Sequence, residues 1–402
     1  MKTVAIISEY NPFHTGHEYQ VTKIREEFGS DTRIVAIMSG NYTQRGEIAI
    51  MDKSARARAA IMCGVNLVLE IPFPYSSSSA EFFAKSGVKI ANEIGVIDYL
   101  SFGSECGNIN YLTTLAKNML DKEYTDAITQ CSDMKEIGYP EQCEKIYKQL
   151  FGEDTAENFF SPNNILALEY IKALLSTDSK IQPHTISRCG ASYSEESITD
   201  SEHQSATAIR QLFFENLESA LKFIPKNTIS TILEEYNNGL FPTNQEKLSS
   251  AIISHIRLNS PDADTDIHDA KGGLYNRLYN ESFKANTISS LIKLAGTKKY
   301  TSARIRRAIW YSFFGVTSST VKELPCYTQV LAMDNVGKTI LKEVKKISDF
   351  PVLTKPSDYS KLPREAMNQK KLADKADSIF HLAKPTPPSG NASLLATPYV
   401  MK

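Results

Sequence analysis

The chain has 402 residues, 42% of them hydrophobic and 23% charged, with 45 lysines and arginines against 46 aspartates and glutamates. That length favours two domains or one elaborated one, and the composition excludes a disordered, collagen-like or membrane-embedded chain. A net charge of −1 gives no global attraction to nucleic acid, so any polyanionic partner must be met by a local basic patch.

The first hundred residues alternate two kinds of segment. Apolar runs at Val4–Ile7, Ile34–Met38, Leu67–Ile71 and Tyr99–Phe102 have the length and residue types of fully buried strands. Helical patterns at Gly16–Phe28, Asp52–Cys63 and Ala80–Ile94 separate them. This order predicts right-handed crossovers and an α/β fold with a Rossmann-like, doubly wound parallel sheet, whose ligands sit beyond the carboxyl ends of the strands. Those ends read EYNPFH, SGNY, EIPFPYSSSS and GSECGN. Beyond about Asn110 the pattern turns helical. SPNNILALEYIKALL opens with a capping serine and a first-turn proline, and a short strand HTISR and a polar loop to Gln204 follow. Residues 1–204 are expected to form the ligand-binding catalytic domain, and 205–402 a mostly helical C-terminal domain. TQVLAMD, VGKTILKEVKKI, FPVLT and KADSIFHLA predict a small terminal α/β element. The start MKTVAIISEY meets Glu9 and Pro12 before any adequate apolar stretch, so it reads as a strand rather than an export signal. Six cysteines without CxxC or metal-ligand spacing indicate neither a disulfide framework nor a zinc site, and the expected location is a reducing cytoplasm.

The densest chemistry lies where the first strand passes through Asn11, Pro12 and Phe13 into a helix beginning near Thr15 or Gly16. A helix N-terminus offers unpaired N–H groups and partial positive charge, which together suit an anion. Gly16 permits close backbone approach, and His14 and His17 would face one side as donors to phosphate oxygens. A single histidine beside a loop is more often a packing or surface residue. The conjunction of strand, loop, His-x-Gly-His and helix at the first crossover points to nucleotide binding.

The pattern resembles the nucleotidyltransferase superfamily that also holds class I aminoacyl-tRNA synthetases, whose hallmark is His-x-Gly-His. Their second signature, a Ser/Thr-rich turn leading to a basic residue, has two matches. One is SATAIR, with Ser205, Thr207 and Arg210 as phosphate contacts; the other is TSARIRR, Thr301 to Arg307. Each is also explained by a helix cap followed by an exposed arginine. The ordered set EYNPFHTGH, MSGNYTQRGE, FGSECGN, SPNNILALEYIKAL, SATAIR and YTSARIRRA resembles, over nearly the whole chain, the bacterial tRNA(Met) cytidine acetate ligase family. The resemblance implies activation of acetate by ATP as acetyl-adenylate, then acetylation of the N4 amine of the wobble cytidine in elongator tRNA(Met). It implies an ATP site of Ile7, Ser8, Glu9, Tyr10, Asn11, Pro12, Phe13, His14, Thr15, Gly16, His17, Glu18, Tyr19 and Gln20. To these it adds Gly103, Asn163 in preference to Asn164, and Arg188, with His14 and His17 catalytic. This chain departs from the family pattern at Ser194, where histidine or asparagine is expected. Mg2+ accompanying ATP is a generic expectation; no motif names a metal site.

Other charged residues are open to two readings. Lys53, Arg56 and Arg58 either line a solvated helix face or touch phosphate; Gln44 and Arg45 stand at a strand end where ligands bind; Glu105 and Asp98 either order a ligand or cap backbone. KLAGTKKYTSARIRR holds Lys293, Lys298, Lys299, Arg304, Arg306 and Arg307 with no acidic residue, a concentrated patch suited to RNA phosphates. Tyr300 and Trp310 would either stack bases there or face the core. Lys338, Lys342, Lys345 and Lys346 form a second, solubilising face. Two rival functions remain. A small-molecule carboxylate-adenylating ligase of the same fold would need no basic helical region, and a noncatalytic RNA scaffold would use the histidines only to hold ATP.

Overall fold

The computed structural model describes residues 1–130, 139–152, 161–187, 205–261 and 266–402. Among these residues eight strands form one sheet: β1 Thr3–Ser8, β2 Arg33–Ser39, β3 Leu67–Ile71, β4 Tyr99–Ser104, β5 Gln182–Ser187, β6 Thr328–Met333, β7 Val352–Leu353 and β8 Tyr399–Val400. Their order is β5-β4-β1-β2-β3-β6-β7, with β8 also on β6. Neighbours run parallel except β3 and β6, which are antiparallel. The first four strands and first three helices fall where the apolar runs predict, within two residues at each end.

Helices cover both faces: α1 Thr15–Phe28 and α2 Lys53–Met62 on one, α3 Ala80–Ile94, α4 Ile109–Leu120 and, after α5 Lys122–Gln130 and α6 Tyr139–Phe151, α7 Pro162–Ser176 on the other. The alternation of strand side chains dictates this division. Val4 and Ile6 pack with Val21, Ile24 and Ala57, whereas Ala5 and Ile7 pack with Phe83, Val88 and Ile171.

A second core lies over the carboxyl ends of β2 and β3. Helices α8 Ala206–Glu215, α9 Leu217–Leu221 and α10 Lys226–Asn237 gather around Ile50 and Met51. Beyond them α11 Ser249–Leu258, α12 Leu274–Ser282, α13 Ile288–Ala295 and α14 Ser302–Phe314 enclose Tyr42, Ile48 and Phe73 from the strand-end loops. Trp310 belongs to this core: it is 1% exposed, and its indole N–H donates to Gly46 O at 2.8 Å. Tyr300 is buried too, so neither aromatic is presented for base stacking.

The terminal strand–helix–strand element does not stand apart. After α15 Ser318–Lys322, β6 adds antiparallel to β3, and α16 Asn335–Ile347 packs Ile340, Leu341 and Val344 into the core beneath α3. The join is specified by side chains: Asn66 Nδ2 donates to Asp334 Oδ2 at 2.8 Å, and Asp334 caps α16 by accepting from Gly337 N–H. Helix α17 Arg364–His381 then brings Asp377 against α2, and α18 Ala392–Leu395 follows in the closing segment.

Candidate active site

From β1 the chain steps to β2 and β3 on one side, then returns to β4 and β5 on the other. A sheet of this order leaves a crevice outside the carboxyl ends of β1 and β4, where the two directions part. A cleft of about 450 Å³ occupies that position. One wall is α1, through His14, Gly16, His17, Tyr19 and Gln20; the strand ends Ile7–Asn11 and Phe102–Gly103 form its floor.

The HTGH segment is folded so that its two rings serve the helix end. Tyr10 takes φ = 46°, a left-handed conformation costing a non-glycine residue about 1–2 kcal/mol, and its ring is seated against Phe13 and, edge-on, His17. His14 is the N-cap of α1: its Nδ1 accepts from Gly16 N–H at 3.0 Å, while His17 Nδ1 accepts from His14 N–H at 3.3 Å. This is a capping box made of two imidazoles, with ring centroids 3.9 Å apart. Because both Nδ1 atoms are acceptors, a neutral ring at either position carries its proton on Nε2. Gly16 has a steric reason: a Cβ there would lie 2.9 Å from His14 Cε1. The glycine thus admits the folded-back His14 ring, in addition to the ligand approach expected of it.

The two competing Ser/Thr-to-Arg signatures converge. Ser205 caps α8, accepting from Ala208 N–H at 3.1 Å, and Thr301 caps α14. Ser205, Ala206 and Arg210 line the cleft from α8, and Ala303 lines it from α14. Arg210 donates to Asn11 O and Thr207 Oγ1, and Glu47 pairs with Arg210 at 2.9 Å and with Arg306 at 3.4 Å. One carboxylate from the loop after β2 therefore holds both arginines beside the helix ends. Glu47 lies in MSGNYTQRGE, yet nothing local marks it as the bridge.

Two of the three charges of α2, Lys53 and Arg56, are neither solvated nor turned to the cleft. Arg56 is 0% exposed and donates to the carbonyls of Met51, Glu9, Ser39 and Gly40, tying the ends of β1 and β2 together. Burial pushes its guanidinium down to about 10, still charged at neutral pH. Lys53 is buried between Glu70 and Asp377, each at 2.6 Å. Burial alone would lower its pKa, but Asp377 and Glu70 outweigh that and raise it. Arg58 pairs with Glu234 at the surface.

Glu9, at the end of β1, accepts Gln44 N–H at 2.8 Å and lines the cleft with Gln44 and Arg45. Burial raises its carboxyl pKa, against the lowering pull of the Gln44 N–H and of Arg210. Asn163 lines the cleft, with its Nδ2 on Glu105 Oε1 at 2.5 Å. Asn164 is buried and accepts Glu105 N–H, while the Glu105 carboxylate accepts the N–H groups opening α7. Glu105 is thus a cap, and Asp98 likewise accepts Thr3 N–H. Pro12, Phe13, Thr15, Glu18 and Thr207 do not line the cleft; Phe13 is core, Thr15 N–H donates to Phe223 O, and Thr207 braces Arg210. Arg188 and Ser194 lie outside the described residues.

Within the basic stretch Lys293, Lys298 and Lys299 are exposed. Arg304 is half-buried and donates to Asp269 O and Lys271 O. Arg307 is buried with its Nε on Asp269 Oδ2 at 2.5 Å, and Arg306 is turned to Glu47, so both are engaged by carboxylates of the fold rather than presented on an outer phosphate-binding face. Among the described residues no helix is long and apolar enough to cross a membrane. Among the described residues Cys63, Cys106 and Cys326 are free thiols.

A family model described as HIGH Nucleotidyl Transferase matches residues 1–392. A protein of Thermoanaerobacter sp. (strain X514) named tRNA(Met) cytidine acetate ligase is 36% identical over 400 residues, covering 95% of this chain and 96% of that one. One of the same name from Clostridium novyi (strain NT) is 36% identical over 382 residues, covering 92% and 93%. The crystal structure of Thermotoga maritima TmcAL bound with alpha-thio ATP superposes with a TM-score of 0.92 at 29% identity over 100% of both chains. Its apo form gives 0.93 at 30%, again over 100% of both. With the His-x-Gly-His helix end set in the crevice between β1 and β4, these matches place the chain in the HIGH nucleotidyl transferase family, beside members that bear the name tRNA(Met) cytidine acetate ligase.

Proposed function

We propose that this protein is an ATP-dependent ligase that activates acetate as acetyl-adenylate and then acetylates the N4 amine of the wobble cytidine of elongator tRNA(Met), forming N4-acetylcytidine. The observation that carries the reading is the imidazole capping box at a helix N-terminus, both of whose histidines line the cleft between β1 and β4. An acetate oxygen attacks the α-phosphorus of ATP, pyrophosphate leaves, and the negative charge growing on the phosphate oxygens is met by donors already oriented. Arg210, which lines the cleft and is held by Glu47, is suited to the departing pyrophosphate. In the second step the cytidine amine attacks the acyl carbon and AMP leaves. An acyl-adenylate is a good donor, so positioning supplies much of the rate.

Among the described residues no group of three or more His, Cys, Asp or Glu side chains is placed to hold a metal ion. Mg2+ generally travels with ATP phosphates, and the residue roles given above do not depend on a protein-held ion. The exposed Lys298 and Lys299 lie a few residues before Ala303 at the cleft, which supports their meeting tRNA phosphates beside the reacting cytidine. Acetate-dependent exchange of pyrophosphate into ATP, with and without tRNA(Met), tests the whole reading on wild type and His17→Ala. Exchange accompanied by acetyl transfer to tRNA, both lost in His17→Ala, is the expected result. Exchange without transfer would favour a small-molecule ligase, and ATP binding without exchange a scaffold.

A further inference from the structure

The cleft has two unlike ends. Opposite α1, the side chains of Ile7, Phe83, Phe102 and Tyr170 come from β1, α3, β4 and α7 and line the same space. All four belong to the core on the α3/α7 face of the sheet, and Phe102 and Tyr170 stack obliquely with centroids 5.6 Å apart. The wall is fixed from behind: a Cβ on Gly87 would stand 2.6 Å from Ile7 Cδ1, so α3 rests directly on the Ile7 side chain. Among the described residues on the cleft, polar atoms of Ser8, Tyr10, Asn11 and Tyr170 are buried without a hydrogen-bond partner; of these the hydroxyl of Tyr170, a residue only 2% exposed, belongs to the aromatic end. Burial, followed by the nearby charge of Glu9, raises its phenol pKa well above the usual value, so it stays a donor. The N-terminus of the 15-residue helix α3 opens alongside, with Ala80 on the cleft and Gln44 Nε2 donating to Ser78 O just before it.

Resting on the function proposed above, we propose that this aromatic end is the acid subsite: Tyr170 donates to one carboxylate oxygen, leaving the other to attack phosphorus, and Phe83 with Ile7 and Phe102 closes around the methyl group and so limits the acid to two carbons. An orphaned donor in an apolar wall suits a small carboxylate, because the ligand supplies the acceptor the protein lacks while its alkyl end excludes water. Rigid aromatic side chains cannot yield to a longer chain without losing their packing.

The test is carboxylate-dependent pyrophosphate exchange with acetate, propionate and butyrate, with KM for ATP measured separately, on wild type, Phe83→Ala and Tyr170→Phe. Wild type should favour acetate. Phe83→Ala should raise the propionate-to-acetate ratio of kcat/KM by about 10-fold or more, the scale of one methylene in a filled pocket. Tyr170→Phe should raise KM for acetate about 10-fold, a hydrogen bond to a charged group, with KM for ATP changed less than about 2-fold. If Phe83→Ala does not fold, Phe83→Leu must shift the ratio in the same direction. An unchanged ratio in a folded, active Phe83 variant overturns the subsite, and so does a rise in KM for ATP with the acid preference intact, which would assign the wall to adenine. Wild type that exchanges with none of the three acids overturns the ligase reading itself, a result distinguishable from either.

Discussion

Replacing His17 separates what its two ring nitrogens do. Nδ1 belongs to the helix cap, accepting His14 N–H at 3.3 Å, and in the proposed reaction the Nε2–H is the donor to phosphate. His17→Asn keeps an acceptor near the Nδ1 position and removes the distal donor; His17→Ala removes both. Loss of one preorganised donor to developing charge costs about 100- to 1000-fold in kcat, or about 3–4 kcal/mol, so both variants should fall by that factor in acetate-dependent exchange. Only His17→Ala should also lose the cap, about 0.5–2 kcal/mol, read as a lower urea midpoint. Catalysis and stability are thereby predicted to come apart in one variant and fall together in the other. If His17→Asn exchanges within a few-fold of wild type, the donor role is wrong; if it loses activity only in proportion to stability, the ring is a structural cap alone.

Three further outcomes follow from the electrostatics. Lys53→Met leaves Glu70 and Asp377 buried without their cation and should destabilise by about 3–5 kcal/mol in urea unfolding; a loss under about 1 kcal/mol would show the cluster to be self-compensating. Glu9 has a raised carboxyl pKa, so the folded state binds its proton more tightly than the unfolded state does. Its penalty is absent below the unfolded value of about 4.3, grows as pH rises through the folded value, and is complete above it. Glu9→Gln, which can still accept Gln44 N–H, should therefore gain stability at about pH 7.5 and not at about pH 3.5; an equal gain at both would remove the titration argument. Lys298→Ala combined with Lys299→Ala should flatten the dependence of log K for tRNA on log salt by about 1–2 units, and an unaltered slope would take these lysines off the RNA path.

What the sequence disclosed and what it withheld divide along physical lines. Buried strands announce themselves by uninterrupted apolar runs, and helix starts by local capping chemistry, so β1–β4, α1–α3 and the opening of α7 are legible without tertiary information. The placement of β6 is not, because its antiparallel partner β3 lies some 260 residues earlier and the Asn66–Asp334 lock has no local signature. Lys53 and Arg56 escape both readings for the same reason: basic residues on a short helix suggest a solvated face or a phosphate contact until Asp377, 324 residues from Lys53, is brought against it. The His-x-Gly-His turn was legible as the step from the first strand into the first helix, but the capping role of its two Nδ1 atoms had no local signature. Phe83 and Tyr170 carry no local mark at all, since a residue on the inner face of an amphipathic helix looks the same whether it fills a core or edges a cleft.

The central claim is that both imidazoles are held as Nε2–H donors toward the triphosphate. Nitrogen-15 NMR of histidine-labelled protein, assigned with the His14 and His17 variants and recorded with and without ATP, measures this at the atoms concerned. The account predicts unprotonated Nδ1 and protonated Nε2 on both rings, with ATP shifting the Nε2 resonances. Protons on Nδ1, or Nε2 signals indifferent to saturating ATP, would contradict it.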